Sequence, residues 1–171
     1  MTKTLENIVL VGPMGSGKTT VGRRLAVELN LSFFDSDHEI IDKTGVSIEH
    51  IFDIEGEEGF RNRESQILSE LYQKSGAIIA TGGGIVLRPE NRAIMQQSGV
   101  VVYLTSSIEQ LLSRTSKSKN RPILEKSLDR EKTFRDILSE REVFYQQVAT
   151  FEVDTTGKQL HEVIDEIKRY V

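Results

Sequence analysis

The segment Gly12-Pro13-Met14-Gly15-Ser16-Gly17-Lys18-Thr19 constrains the fold of this chain more than any other stretch. It satisfies G-x-x-x-x-G-K-[ST] in full. An apolar run, Ile-Val-Leu-Val at 8–11, precedes it, and a segment with one apolar residue per turn at Val21, Leu25 and Leu29 follows. Such a loop belongs between a strand and a helix. Its glycines let successive backbone N–H groups curl around a phosphate without Cβ clashes, and the helix that starts near Lys18 adds its positive dipole end. Lys18 brings a point charge to the β- and γ-phosphates, and the Thr19 hydroxyl can ligate Mg²⁺. A Gly-rich turn that binds nothing is the bland alternative, and the flanking strand and helix speak against it. A Mg²⁺–nucleoside triphosphate is the expected ligand, with Gly15, Ser16, Gly17, Lys18, Thr19 and Thr20 around it.

Short apolar runs recur at 8–11, 31–34, 77–80, 100–104 and 150–153. Most are continuous rather than alternating, as in strands covered on both faces. Helical patterns lie between them, at 19–30, 59–74, 108–115, 130–147 and 160–171. The alternation predicts an α/β fold: a three-layer α/β/α sandwich around a five-stranded parallel sheet. With 171 residues the chain fits one domain that buries roughly 70% of its unfolded surface. Residues 35–60 are too many for a simple crossover and predict a small helical insertion. Residues 113–129 are polar, with Lys117, Lys119 and Arg121 among serines, and suit a functional lid or a disordered loop.

Composition excludes more than it assigns. The absence of cysteine rules out disulfides and thiolate metal sites. A net charge of −4 argues against nucleic acid as the main partner. The longest apolar run, 100–104, falls far short of the roughly 20 residues a membrane span needs. The expectation is a soluble, cytoplasmic protein.

Several further positions carry possible chemistry. Asp35-Ser36-Asp37 places two carboxylates just after the second strand, at the sheet edge where ligands of open α/β folds sit. One can help hold Mg²⁺ and the other can draw a proton from a substrate hydroxyl; an Asp here can equally cap a helix. Arg61 can fork onto a carboxylate ligand or pair with Glu64 three residues on. Gly82-Gly83-Gly84 ends a buried strand, so its backbone can approach a ligand and offer it N–H groups. Glu55, Glu57 and Glu58 read as a solvated face, and Arg141 alone reads as a surface arginine.

Taken in order, residues 12–19, Asp35-Ser36-Asp37, Gly56-Glu57 with Phe60-Arg61, Gly82-Gly83-Gly84, Arg121-Pro122, and Glu140-Arg141 with Tyr145 resemble shikimate kinases. The resemblance runs from about Asn7 to Asp154. It implies a nucleoside-monophosphate-kinase-like P-loop fold occupying 1–171 as one domain, with a substrate-binding insertion at about 35–63 and a lid at about 113–125. It implies transfer of phosphate from ATP, with Mg²⁺, to the 3-hydroxyl of shikimate by a monomer with no nucleic-acid or membrane partner. Carried over by position, Asp37, Arg61, Gly83 and Arg141 hold shikimate, beside Gly82 and Gly84. Asp37 is then the base, Asp35 supports Mg²⁺ alongside Thr19, and Lys18 and Arg121 reach the ATP phosphates. Arg114 lies near the adenine. The chain departs from the family pattern at Val143, where a proline is usual, and Thr155-Thr156-Gly157-Lys158 matches no distinctive motif. A kinase for gluconate or a nucleoside monophosphate, and a non-catalytic nucleotide-binding module, are the rival readings.

Overall fold

The computed structural model describes residues 6–115 and 129–171. Arg121 and residues 116–125 of the expected lid lie outside the described residues. Five strands, β1 (Ile8–Val11), β2 (Ser32–Asp35), β3 (Ala77–Ala80), β4 (Val100–Thr105) and β5 (Phe151–Asp154), pair in parallel in the order β2-β3-β1-β4-β5. Val9 of β1 stands opposite Ile79 on one side and Val101 on the other, so β1 is hydrogen-bonded along both edges.

Among the described residues, seven α-helices cover the sheet: α1 (Lys18–Leu29), α2 (Ser36–Thr44), α3 (Ile48–Leu71), α4 (Pro89–Gln97), α5 (Ile108–Thr115), α6 (Arg130–Val148) and α7 (Leu160–Lys168). The period-2 geometry of the strands divides the core. Val9, Val11, Ile79, Val101 and Tyr103 pack with Phe60, Ile67, Leu68 and Tyr145 of α3 and α6. Ile8, Leu10, Ile78, Val102 and Leu104 pack on the opposite face with Val21 and Leu25 of α1 and Ile164 and Ile167 of α7. This two-faced burial is why the strand sequences are apolar without alternation. Each fully buried Leu or Ile contributes about 1.5–3 kcal/mol.

The expected sandwich and its five strands are present, with β2 and β5 at the edges and each starting one residue later than the apolar runs suggest. Helix α4 has no counterpart in the sequence reading. Its apolar positions are few, and Pro89 at its first turn is its clearest signature. The insertion after β2 is helical, as expected, but α3 begins at Ile48 and runs through a break at Gly56, where φ is 73° and ψ −178°. Glycine is the residue that reaches this region at low cost, so Gly56 lets the chain change direction within α3, just before Arg61 and Glu64. Val143, the departure from the family pattern, is exposed deep inside α6 rather than near its start.

Candidate active site

The loops after β1, β2 and β3 converge at the carboxyl edge of the sheet. Gly17 caps α1 in the left-handed region at φ 94°, which a side chain rarely adopts. Its conformation turns the chain so that α1 starts at the loop. Lys18 is buried, and its Nζ donates to the carbonyls of Gly12 and Pro13 at 2.7 and 2.9 Å. The ammonium is thus held over the loop rather than extended into solvent. Ser16 is buried as well, and its N–H donates to the Pro13 carbonyl at 3.2 Å.

Asp35 does the capping job that the sequence offered as one alternative, and it also binds the Thr19 side chain. Its Oδ1 accepts from the N–H groups of Asp37 and His38, capping α2, while its Oδ2 accepts from Thr19 Oγ1 at 2.6 Å. Because α2 starts at Ser36, the strand geometry stops at Asp35, and Asp37 sits in the first helical turn. Asp35 and Asp37 nevertheless line one cavity of about 240 Å³ with Gly15, Gly17, Lys18, Thr19, Thr20, Gly82, Gly83 and Arg114.

The three glycines differ in what surrounds them. The Gly82 N–H donates to the buried hydroxyl of Ser36 at 3.0 Å, so that amide is engaged within the protein. Gly84 is overlaid by Arg61: a Cβ there would lie 2.4 Å from the guanidinium nitrogens. Its smallness makes room for the Arg61 guanidinium. Gly83 lines the cavity, and its carbonyl accepts from Tyr145 Oη at 2.5 Å.

Behind this turn lies a cluster of buried charge. Arg61 Nη1 donates to Glu64 at 2.9 Å and Nη2 to Glu57 at 3.2 Å. Arg61, Glu64 and Arg141 are 7%, 0% and 5% exposed. The Arg61–Glu64 pair is therefore no surface salt bridge, and Arg141 is no surface arginine. Arg141 flanks Gly83 as Arg61 flanks Gly84. The Nε groups of both arginines are buried without a hydrogen-bond partner among the described residues. Burial pushes the Glu64 carboxyl up to about 7, with Arg61 opposing and the nearby Asp37 charge adding to the rise. Burial also raises the Tyr145 hydroxyl to about 12, so it stays a donor.

A second cleft of about 240 Å³ opens on the other side of the phosphate loop, shared at Gly17, Thr20 and Arg114. Arg114 Nη1 donates to the Gly15 carbonyl at 3.0 Å. Facing it are Thr155 and Lys158 from the loop after β5. That loop arrives here because β5 pairs in parallel with β4 and ends at the same sheet edge.

A family model described as shikimate kinase matches residues 14–171. The chain is 48% identical to a shikimate kinase of Thioalkalivibrio sulfidiphilus over 99% of its own length and 88% of the relative's. It is 49% identical to one from Psychromonas ingrahamii, over 95% and 94%. The chain belongs to the shikimate kinase family. A solved shikimate kinase from Acinetobacter baumannii in complex with shikimate superposes with a TM-score of 0.94 at 46% identity, covering 98% of this chain and 93% of that one.

For a member of the shikimate kinase family, the sequence reading missed Ser36 and the burial of Glu64, whose pairing with Arg61 it had offered, and it found no distinctive motif at Thr155 and Lys158, which line the second cleft. Ser36 lay in a motif but was read only for its carboxylate neighbours. Glu64 carried a signal, its spacing from Arg61, and what the spacing could not give was burial.

Proposed function

We propose that the chain transfers the γ-phosphoryl group of ATP to the 3-hydroxyl of shikimate, giving shikimate 3-phosphate and ADP. One observation carries this reading: Lys18, Thr19, Asp35 and Asp37 line one cavity at a glycine turn backed by two buried guanidiniums. Backbone amides of residues 12–19 and Lys18 grip the triphosphate. The fit to Mg²⁺ rests on the donor set: a hydroxyl and a carboxylate oxygen 2.6 Å apart beside the phosphate loop. Mg²⁺ favours hard oxygens and takes few protein ligands when phosphates supply the rest, which suits a chain with no three-residue acidic or His cluster among the described residues. When bound, the ion neutralises charge that develops on the phosphate oxygens.

Asp37 accepts the proton of the 3-hydroxyl as the bond to phosphorus forms, and the ADP oxygen leaves on the opposite side. Arg61 and Arg141 anchor the shikimate carboxylate, for which their unsatisfied Nε–H groups are suited. Gly83 forms the floor between them. The nucleobase occupies the cleft between Arg114 and the Thr155–Lys158 wall. Arg121 and the lid at about 113–125 are assigned to the phosphates by resemblance alone, and the insertion at about 35–63 to shikimate. No helix among the described residues is long and apolar enough to cross a membrane. We place the enzyme in the cytoplasm as a single-domain monomer on the sequence reading.

The test is a coupled assay of ADP release from ATP·Mg²⁺ across a panel of hydroxy acids. Release is expected with shikimate and not with gluconate or AMP. Turnover with either of those and none with shikimate would overturn the substrate assignment.

A further inference from the structure

We propose that Gln110 is a positioning residue for the nucleobase: its carboxamide clamps the loop after β5 onto α5 and so sets the width of the base cleft. The inference rests on the reading that the base of ATP occupies the cleft between Arg114 and Lys158. Gln110 lies one helical turn before Arg114 on α5. Its Nε2 donates to Ser106 Oγ at 2.7 Å and, at the limit of reach, to the Thr155 carbonyl at 3.4 Å. Its Oε1 accepts from the Gly157 N–H at 3.1 Å. A single planar group thereby joins the start of α5 to both ends of a tight turn.

That turn is held by hydrogen bonds more than by packing. Thr155 is fixed to the end of β4, its N–H and hydroxyl donating to the Thr105 carbonyl at 2.8 and 2.9 Å. Thr156 Oγ1 accepts from the Ser107 N–H at 2.8 Å. Beyond them the chain passes through Gly157 in the left-handed region at φ 67°, where an added Cβ would meet nothing within 4 Å. The bond from Gly157 to Gln110 carries the anchoring on toward Lys158, which faces Arg114 across the cleft. Without it, Lys158 is tied back through its N–H to the Thr155 carbonyl at 3.1 Å and through Glu166 on α7 at 2.9 Å, and the turn before it through Thr105 and Ser107.

The clamp needs a donor and an acceptor on one head group, which a carboxamide provides and a carboxylate does not. Gln110→Glu keeps the stem and the acceptor for Gly157, but turns a charged oxygen toward the Thr155 carbonyl. Gln110→Ala removes both halves. Wild type and both variants are compared in KM for ATP, KM for shikimate, kcat, and affinity for Mg²⁺·tripolyphosphate, a probe with the phosphates and no base. Both variants are expected to raise the KM for ATP by about tenfold. Shikimate KM, kcat and tripolyphosphate affinity are expected to stay at wild-type values. An unchanged KM for ATP in both variants overturns the proposal. So does wild-type behaviour of Gln110→Glu, which would leave only a packing role, or a parallel fall in tripolyphosphate affinity, which would mean a distorted phosphate loop. Should the wild type bind tripolyphosphate as tightly as ATP, the base-cleft reading itself fails, and this inference with it.

Discussion

Asp37→Asn is expected to lower kcat by about two to four orders of magnitude, the usual contribution of a positioned general base, while nucleotide affinity stays at the wild-type level. The substitution keeps the size of the side chain and an acceptor oxygen, so Gly82 and Ser36 keep their places. It removes only the capacity to take the proton of the attacking hydroxyl. Stability is not the confounder it would be elsewhere in the cluster. Two carboxylates, Asp37 and Glu64, share this region with two guanidiniums, and Asp37 is one of the charges that push the Glu64 carboxyl up. Removing that charge relieves repulsion. The measurements are steady-state kcat with saturating shikimate and calorimetric affinity for ATP·Mg²⁺. A kcat near wild type would end the role of Asp37 as base. A parallel loss of ATP affinity would instead assign Asp37 to the nucleotide.

What could be read from the sequence follows from how local each feature is. The phosphate loop was legible because its chemistry demands particular residue types in one contiguous stretch, and a strand and a helix flank it. The central strands were legible because burial on both faces leaves no polar positions. Helix α4 was not, since its two fully buried positions are Met95 and the polar Asn91, which leaves almost no apolar stripe to read. The glycine turn was seen, but what surrounds each glycine was not. That depends on Ser36 and Arg61, which arrive from two other segments of the chain. Burial bears on both readings of Arg61: pairing with Glu64 is what allows a guanidinium to sit there, and the buried Nε, without a hydrogen-bond partner among the described residues, is the edge the proposed anchoring would use. Gln110 could not be read as a clamp because, apart from Ser106 four residues before it, its partners lie in a loop more than forty positions away.

Arg61→Ala is expected to destabilise the protein by about 3–5 kcal/mol near pH 8, because it strips the counter-charge from a fully buried carboxylate. The sign of its pH dependence follows from Glu64. Burial and Asp37 hold the Glu64 carboxyl above its ordinary value of 4.5, up to about 7, and Arg61 is the largest influence in the other direction. Without Arg61 the folded-state value climbs further. A carboxyl raised on folding holds its proton more tightly in the native state than in the unfolded one, so stability falls as pH rises from 4.5 toward the folded value and is flat beyond it. Near pH 5 Glu64 is protonated in the folded wild type and in the variant alike, so its ionisation adds nothing there to the loss of packing and hydrogen bonds. The wild type shows the same sign between 4.5 and about 7. Arg61→Ala combined with Glu64→Gln is expected to remove this pH dependence and recover most of the stability. Shikimate affinity, by contrast, is expected to remain about thirtyfold or more below wild type, since the neutral amide restores the fold and not the fork onto the carboxylate. Urea unfolding at the two pH values and calorimetry with shikimate separate the outcomes. Equal destabilisation at both pH values would mean that Glu64 is not the group left uncompensated. Full recovery of shikimate affinity in the double variant would show that the guanidinium acts only as a structural partner of Glu64.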